Sequence, residues 1–226
     1  QIEASRGIVA DTSAPALYLQ LLDEAVVPNR IRQSMRVFPM GWGTFKIDFA
    51  LSAPVPWAQE ICRQSGVVHA GDSIDDLLAN VAQVRAGQLP DNPYLVIGQQ
   101  SLFDDTRAPT GRHTLYVYGR VPAHPEGGWE AHRESFADRI VARIEGLAPG
   151  FAHTVLARTI HTPRDLQDMD ANLIDGDLGG GSNAWHRQLI FRPVFPYFRY
   201  RTPVKGLYLC SMYTHPGTGI HGMCGW

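Results

Sequence analysis

The sequence predicts an α+β fold, in which a mixed, mostly antiparallel sheet is covered by helices. Three observations carry that prediction. Gly43 to Leu51 alternates with period two, with Phe45, Ile47 and Phe49 on one face and Thr44, Lys46 and Asp48 on the other. Trp129 to Leu147 instead repeats at helical spacing, its stripe running through Phe136, Ile140, Val141, Ile144 and Leu147. Strand-like and helix-like segments then recur along the chain at short intervals, as a sheet with covering helices requires.

In chain order, Ile2 to Val9 reads as a short strand or a hairpin turning at Arg6-Gly7. Asp11-Thr12-Ser13 offers side-chain oxygens to cap a helix over Ala14 to Leu22, and a second helix follows Pro28 over Asn29 to Arg36. Ser73, followed three residues later by Asp76, caps a helix reaching Arg85. Tyr94 to Gln99 and His113 to Val121 are strands, joined through the turn-forming Pro109-Thr110-Gly111. Gly146, Pro149 and Gly150 stop the long helix. Phe151 to His161 returns as a strand, and Thr162-Pro163 starts a short helix. Beyond Asp170 the texture changes: Asp175 to Asn183 is a Gly/Asp loop, Phe191 to Pro203 is aromatic, basic and broken by prolines, and Gly206 to Ser211 is a short apolar strand.

The composition excludes several function classes. The chain has 226 residues, 44% of them hydrophobic and 19% charged, which suits one large folded domain or two small ones and argues against disorder. A net charge of −2 gives no general attraction to nucleic acid. The longest stretch without a formal charge, residues 206–226, holds two histidines, a proline and several glycines, which excludes it as a membrane span. Peripheral membrane contact stays open. Cys62, Cys210 and Cys224 form no C-x-x-C spacing, so the expectation is a reducing compartment such as the cytoplasm. The chain opens at Gln1 and stops at Trp226 just after a glycine-rich run, which suggests a fragment.

Four motifs carry candidate chemistry. Gly217-Thr218-Gly219-Ile220-His221-Gly222 satisfies the letter of G-x-G-x-x-G, but five residues separate it from the preceding strand and no βα unit follows, as an autonomous dinucleotide site would need. His215, His221, Cys210 and Cys224 match no zinc-ligand spacing. Gly180-Gly181-Ser182-Asn183-Ala184 comes within one residue of a nucleophile elbow but lacks the apolar strand that must precede it. Arg187 to Lys205 interleaves basic and aromatic side chains as a single-strand stacking surface would, and reads better as a packed, proline-rich connector.

Tyr200-Arg201-Thr202-Pro203-Val204-Lys205-Gly206-Leu207-Tyr208-Leu209-Cys210, followed by Thr214-His215-Pro216-Gly217-Thr218-Gly219-Ile220-His221-Gly222, resembles the C-terminal flavin-contacting segment of phytoene dehydrogenase-like FAD-dependent oxidoreductases. The resemblance extends less specifically through Ala10 to Pro15, the strand at Gly43 and the helix at Phe136. It implies a two-domain flavoprotein from which the N-terminal Rossmann half is missing. Residues 1–14 would be a returning strand of the FAD-binding domain, 15–165 the substrate-binding domain, and 166–226 the truncated C-terminal part of the FAD-binding domain.

It also implies that FAD, in the full-length protein, lies along Thr214, His215, Pro216, Gly217, Thr218, Gly219, Ile220 and His221. The backbone N–H groups of Gly219 and Ile220 would then approach the flavin's pyrimidine oxygen. The chain alone would bind flavin weakly or not at all. Its substrate would be an apolar or amine-like small molecule, and no acid–base residue is required of the protein. Phe45, Ile47 and Phe49, or Tyr94, Val96 and Tyr116, are offered as cavity-lining faces against the plainer expectation that they form core. Ser211-Met212-Tyr213 departs from the family's small, glycine-rich run, and Thr218 stands where Gly or Ala is common. These departures motivate an alternative, a non-catalytic binding or interaction module on the same scaffold.

Overall fold

The computed structural model describes residues 4–219 and 221–225, so Ile220 and part of the expected N-terminal strand lie outside the described residues. Among the described residues the strands are β1 (Ile8–Ala10), β2 (Gly43–Leu51), β3 (Val67–Ala70), β4 (Leu95–Gly98), β5 (His113–Val121), β6 (Val155–His161) and β7 (Leu207–Leu209). The α-helices are α1 (Ala14–Ala16), α2 (Asn29–Arg36), α3 (Glu60–Arg63), α4 (Ile74–Arg85), α5 (Gly128–Leu147), α6 (Phe151–Thr154) and α7 (Pro163–Met169). The chain forms two compact units, Gly43–Leu166 and the pair of segments Gln1–Trp42 and Gln167–Trp226. The first change of unit thus falls at Trp42, not after residue 14, and carries residues 15–42 into the unit that holds both chain ends.

The Gly43–Leu166 unit is a five-stranded sheet in the order β3-β4-β5-β2-β6, antiparallel at every pairing. The long partners β2 and β5 pair over nine residues, from Gly43 with Val121 to Leu51 with His113. Period-two alternation then places Phe45, Ile47, Phe49 and Leu51 of β2 in the core beside Leu115 and Val117 of β5. Phe136, Ile140 and Ile144 of α5 are buried in the same core. The aromatic contacts are specific: Phe45 stacks on Trp129 at 5.1 Å and meets Phe136 edge-on at 5.0 Å. Each such ring or branched chain removed from water contributes roughly 1.5–3 kcal/mol. These buried residues form core, so Phe45, Ile47 and Phe49 are not a cavity wall.

Two departures from the expected elements have local causes. Phe151 does not begin a strand, because Gly150 turns the chain at φ +94° and the Glu145 carboxylate accepts the N–H groups of Gly150 and Ala152 at 2.6 and 2.8 Å. Those bonds hold a helical turn, α6, whose Phe151 packs edge-on to Phe49 at 5.5 Å, and β6 starts only at Val155. Strand β3 gives no alternating signal in sequence; it is a short edge strand held by its pairing with β4.

The second unit is built on a small parallel pair, β1 with β7, in the register Ile8–Leu207, Val9–Tyr208 and Ala10–Leu209. Strand β1 therefore pairs with a segment about two hundred residues away and does not turn back as a hairpin. Ser13 caps α1, its Oγ accepting from the Ala16 amide at 3.2 Å, and the helix continues as a π-helical turn through Leu21. Tyr18, Ile31, Met35, Leu209 and Tyr213 share this unit's core.

Candidate active-site loops

Two loops of the second unit are tied together by one buried carboxylate and one buried guanidinium. Asp177 is almost fully buried, and its oxygens accept N–H bonds from Gly41 (2.7 Å), Gly179 (2.6 Å) and Gly181 (2.8 Å). Arg192, only 2% exposed, donates to the carbonyls of Gly179 (2.9 Å), Gly180 (2.8 Å), Ser182 (3.2 Å) and Met212 (2.7 Å). Burial disfavours its charged form and draws its pKa down, against the attraction of Asp177. Carbonyl dipoles in place of a carboxylate therefore hold this charge.

The glycines are required here. Gly181 adopts φ +98° and Gly180 φ +63°, and Cβ atoms at these positions would overlap Phe38 and Met212.

The segment after β7 folds onto this platform. Ser211 Oγ donates to the Thr12 carbonyl at 2.7 Å and accepts from the Tyr213 amide at 3.3 Å. Tyr213 is buried; its hydroxyl donates to the Asn172 carbonyl at 3.0 Å, and burial raises its pKa. Thr214 Oγ1 donates to the Ser211 carbonyl at 2.6 Å, and the Gly217 amide closes a turn onto the Thr214 carbonyl at 2.8 Å. Gly217 holds φ +96°, and a Cβ there would come within 3.1 Å of the Arg192 guanidinium carbon. Thr218 Oγ1 donates to the Gly179 carbonyl at 2.7 Å, joining the two loops a second time. His221 accepts from the Met223 amide at Nδ1, so Nε2 carries the proton donated to the Gly217 carbonyl at 3.1 Å. Two groups remain unspent: His215 Nδ1 is buried without a hydrogen-bond partner, and Gly219 is exposed with no acceptor for its N–H among the described residues. No cluster able to hold a metal occurs among the described residues.

In the sheet unit, the face opposite the core carries Lys46, Asp48, Tyr116, Tyr118, Arg120 and His161. Lys46 pairs with Asp48, which His161 Nε2 approaches at 3.3 Å, and Arg120 donates to Thr44 Oγ1 at 2.7 Å. The Tyr116 and Tyr118 rings stack at 6.2 Å.

No protein-family model matches the chain. The rat (Rattus norvegicus) pyridine nucleotide-disulfide oxidoreductase domain-containing protein 2 is 30% identical over 234 residues, covering 98% of this chain and 40% of that protein. The neurosporene-forming phytoene desaturase of Rhodobacter capsulatus is 31% identical over 146 residues, covering 62% of this chain and 26% of the desaturase.

The chain is thus similar over nearly its whole length to an oxidoreductase-domain protein, and over part of it to a phytoene desaturase. It spans about two fifths of the length of the rat protein and about a quarter of the desaturase. The fold agrees: an oxidoreductase from Methanosarcina mazei superposes with a TM-score of 0.55 at 13% identity, covering 95% of this chain and 39% of that one.

The expected site residues Thr214, His215, Pro216, Gly217, Thr218, Gly219 and His221 lie in the segment after β7, and Ile220 lies outside the described residues. They do not play equal parts. Thr214 and Gly217 are buried and brace the loop, whereas Thr218, Gly219 and His221 are exposed. Ser211 and Tyr213 do not crowd that loop, because both turn into the unit and are spent on Thr12 and Asn172. Sequence reasoning missed Asp177 and Arg192. An aspartate inside a glycine run and an arginine in an acid-free stretch were the available signals.

Proposed function

We propose that this chain supplies the substrate-binding sheet and the C-terminal cofactor-contacting loop of an FAD-dependent oxidoreductase, with residues 43–166 forming the substrate-binding part. The observation that carries the reading is the loop from Thr214 to Gly219: a backbone tied through Thr218 Oγ1 to the Gly179 carbonyl that Arg192 also holds, presenting a buried unpaired imidazole nitrogen and a free glycine N–H. Similarity to phytoene desaturases supports an apolar small-molecule substrate.

The residues suit a flat heteroaromatic cofactor. Gly219 is exposed and bears no side chain, His215 Nδ1 can accept or donate one hydrogen bond, and the Gly219 N–H can donate another. When bound, the flavin would supply the hydride acceptor. The chain's part is positional: Asp177 and Arg192 hold the Gly179–Gly181 run on which Thr218 anchors, Gly219 would direct an N–H toward developing negative charge, and no acid–base residue is needed.

The test is flavin content of the complete product of the gene that encodes this chain, followed by H215A. The reading expects about one FAD per protein, bleached on anaerobic substrate addition, and a shifted flavin spectrum with an unchanged unfolding midpoint in H215A. A full-length protein that stays colourless after reconstitution with FAD overturns it.

A further inference from the structure

A second feature of the same unit points to a ligand of different chemistry. Residues 178–226 contain no Asp or Glu, yet include Arg187, Arg192, Arg199, Arg201 and Lys205, in a chain whose overall charge is −2. Part of that excess converges on a cavity of about 320 Å³ lined by Arg30, His186, Arg187 and Arg192, with no acidic residue among its walls. Phe38, Phe191 and Phe195 supply apolar surface in the same cavity.

Two of the cations are uncommitted. On α2, Arg32 pairs with Glu24, whereas Arg30 meets no carboxylate or carbonyl among the described residues. Arg187, on a surface turn, is likewise exposed and unpaired. Arg192 adds a buried charge whose hydrogen bonds go to carbonyls, while the oxygens of Asp177 are spent on three glycine amides. A concave site lined by one sign of charge with low-dielectric walls concentrates its field on counter-ions. Guanidinium forks match the two oxygens of a carboxylate or phosphate, and phenyl rings accept a flat apolar body. The volume lies at the lower end of the ~300–1,000 Å³ range of small-molecule sites.

We propose that this cavity binds a small anionic molecule, its carboxylate or phosphate group held by Arg30 and Arg187 and its flat apolar body lying along Phe38, Phe191 and Phe195. An amine-bearing ligand is excluded from it by like charge. This site is independent of the flavin reading, because its test needs no cofactor.

The experiment is isothermal titration of the complete product of the gene that encodes this chain with 2-naphthoate, 2-naphthyl phosphate, 2-naphthylmethylammonium and inorganic phosphate. The expected result is that at least one naphthyl anion binds about tenfold or more tightly than both the ammonium and inorganic phosphate, and that its affinity falls as salt rises. The stronger of the two naphthyl anions identifies the headgroup. In the R30Q/R187Q double variant that affinity is expected to fall by about tenfold or more. Should the pair of changes lower the unfolding midpoint, R187Q alone decides, since that side chain makes no hydrogen bond or ion pair among the described residues. Absence of anion binding, equal binding of the ammonium or of bare phosphate, or affinity that survives loss of the arginines overturns the proposal.

Discussion

Asp177 and Arg192 hold opposite sides of one loop. The carboxylate takes the N–H groups of Gly179 and Gly181, and the guanidinium takes the carbonyls of Gly179 and Gly180, so the backbone polar groups of a buried glycine run are satisfied by two charges that do not touch as an ion pair. Buried backbone groups must find such partners, and glycines at positive φ cannot find them in a helix or sheet. The loop's rigidity is therefore a property of these two side chains.

Arg192→Lys is expected to destabilise the chain by about 2 kcal/mol or more, because a compact ammonium with three donors cannot span the carbonyls of Gly179, Gly180, Ser182 and Met212. Asp177→Asn is expected to cost about 1–3 kcal/mol by setting an amide NH₂ against backbone donors. Urea unfolding followed by circular dichroism measures both, and a loss under about 0.5 kcal/mol in each would mean that the loop is held by something else.

Gly98 lies under the ring of Tyr116, and a Cβ there would fall inside the ring's van der Waals envelope. Gly98→Ala is expected to cost about 1–3 kcal/mol. Because strands β4 and β5 place Gly98 opposite Tyr116, truncating the ring should relieve the clash. The double variant Gly98→Ala/Tyr116→Ala should thus be more stable than the sum of its singles by about 1 kcal/mol; strict additivity would contradict the contact.

Asp165 gives a pH-dependent test. Burial by itself pushes its carboxyl pKa up, but the backbone and side-chain hydrogen bonds of Thr162, with Arg133 and His161 nearby, outweigh burial and hold it below the ordinary carboxylate range. A depressed folded-state pKa contributes stability that is fully present above the unfolded value near ~3.9 and is lost as pH falls through the folded value. Asp165→Asn is expected to lower stability at neutral pH and to flatten its dependence below about pH 4. An unchanged acid limb would show that the bonds to Thr162 do not favour the ionised form.

Ser73 accepts the Asp76 amide at 3.1 Å and donates to the Asp76 carboxylate at 2.6 Å at the head of α4. Ser73→Ala should cost about 1 kcal/mol, and Ser73→Asn much less, in thermal unfolding. Equal losses in the two would contradict a capping role.

Elements whose information is local were legible in the sequence. Helix α2 and strands β2 and β5 have the expected bounds, because proline placement and period-two alternation act within each segment. Helices α4 and α5 follow from a capping serine and an apolar stripe. The loop at Thr214 was visible through its glycines, but its support was not. Asp177 and Arg192 act through backbone atoms of residues distant in sequence, and no spacing rule exposes that. The same holds for β1, whose parallel partner is β7, and for α6, which depends on Glu145 bending back onto Gly150.

The most direct measurement for the central claim is the absorption spectrum of the complete gene product, purified and then denatured to release any bound cofactor. The account predicts the near-ultraviolet and blue bands of oxidised flavin, about one FAD released per chain, and loss of that stoichiometry when Gly219 is replaced by a bulky residue such as valine. A folded full-length protein with no flavin bands, before or after reconstitution with FAD, would contradict it.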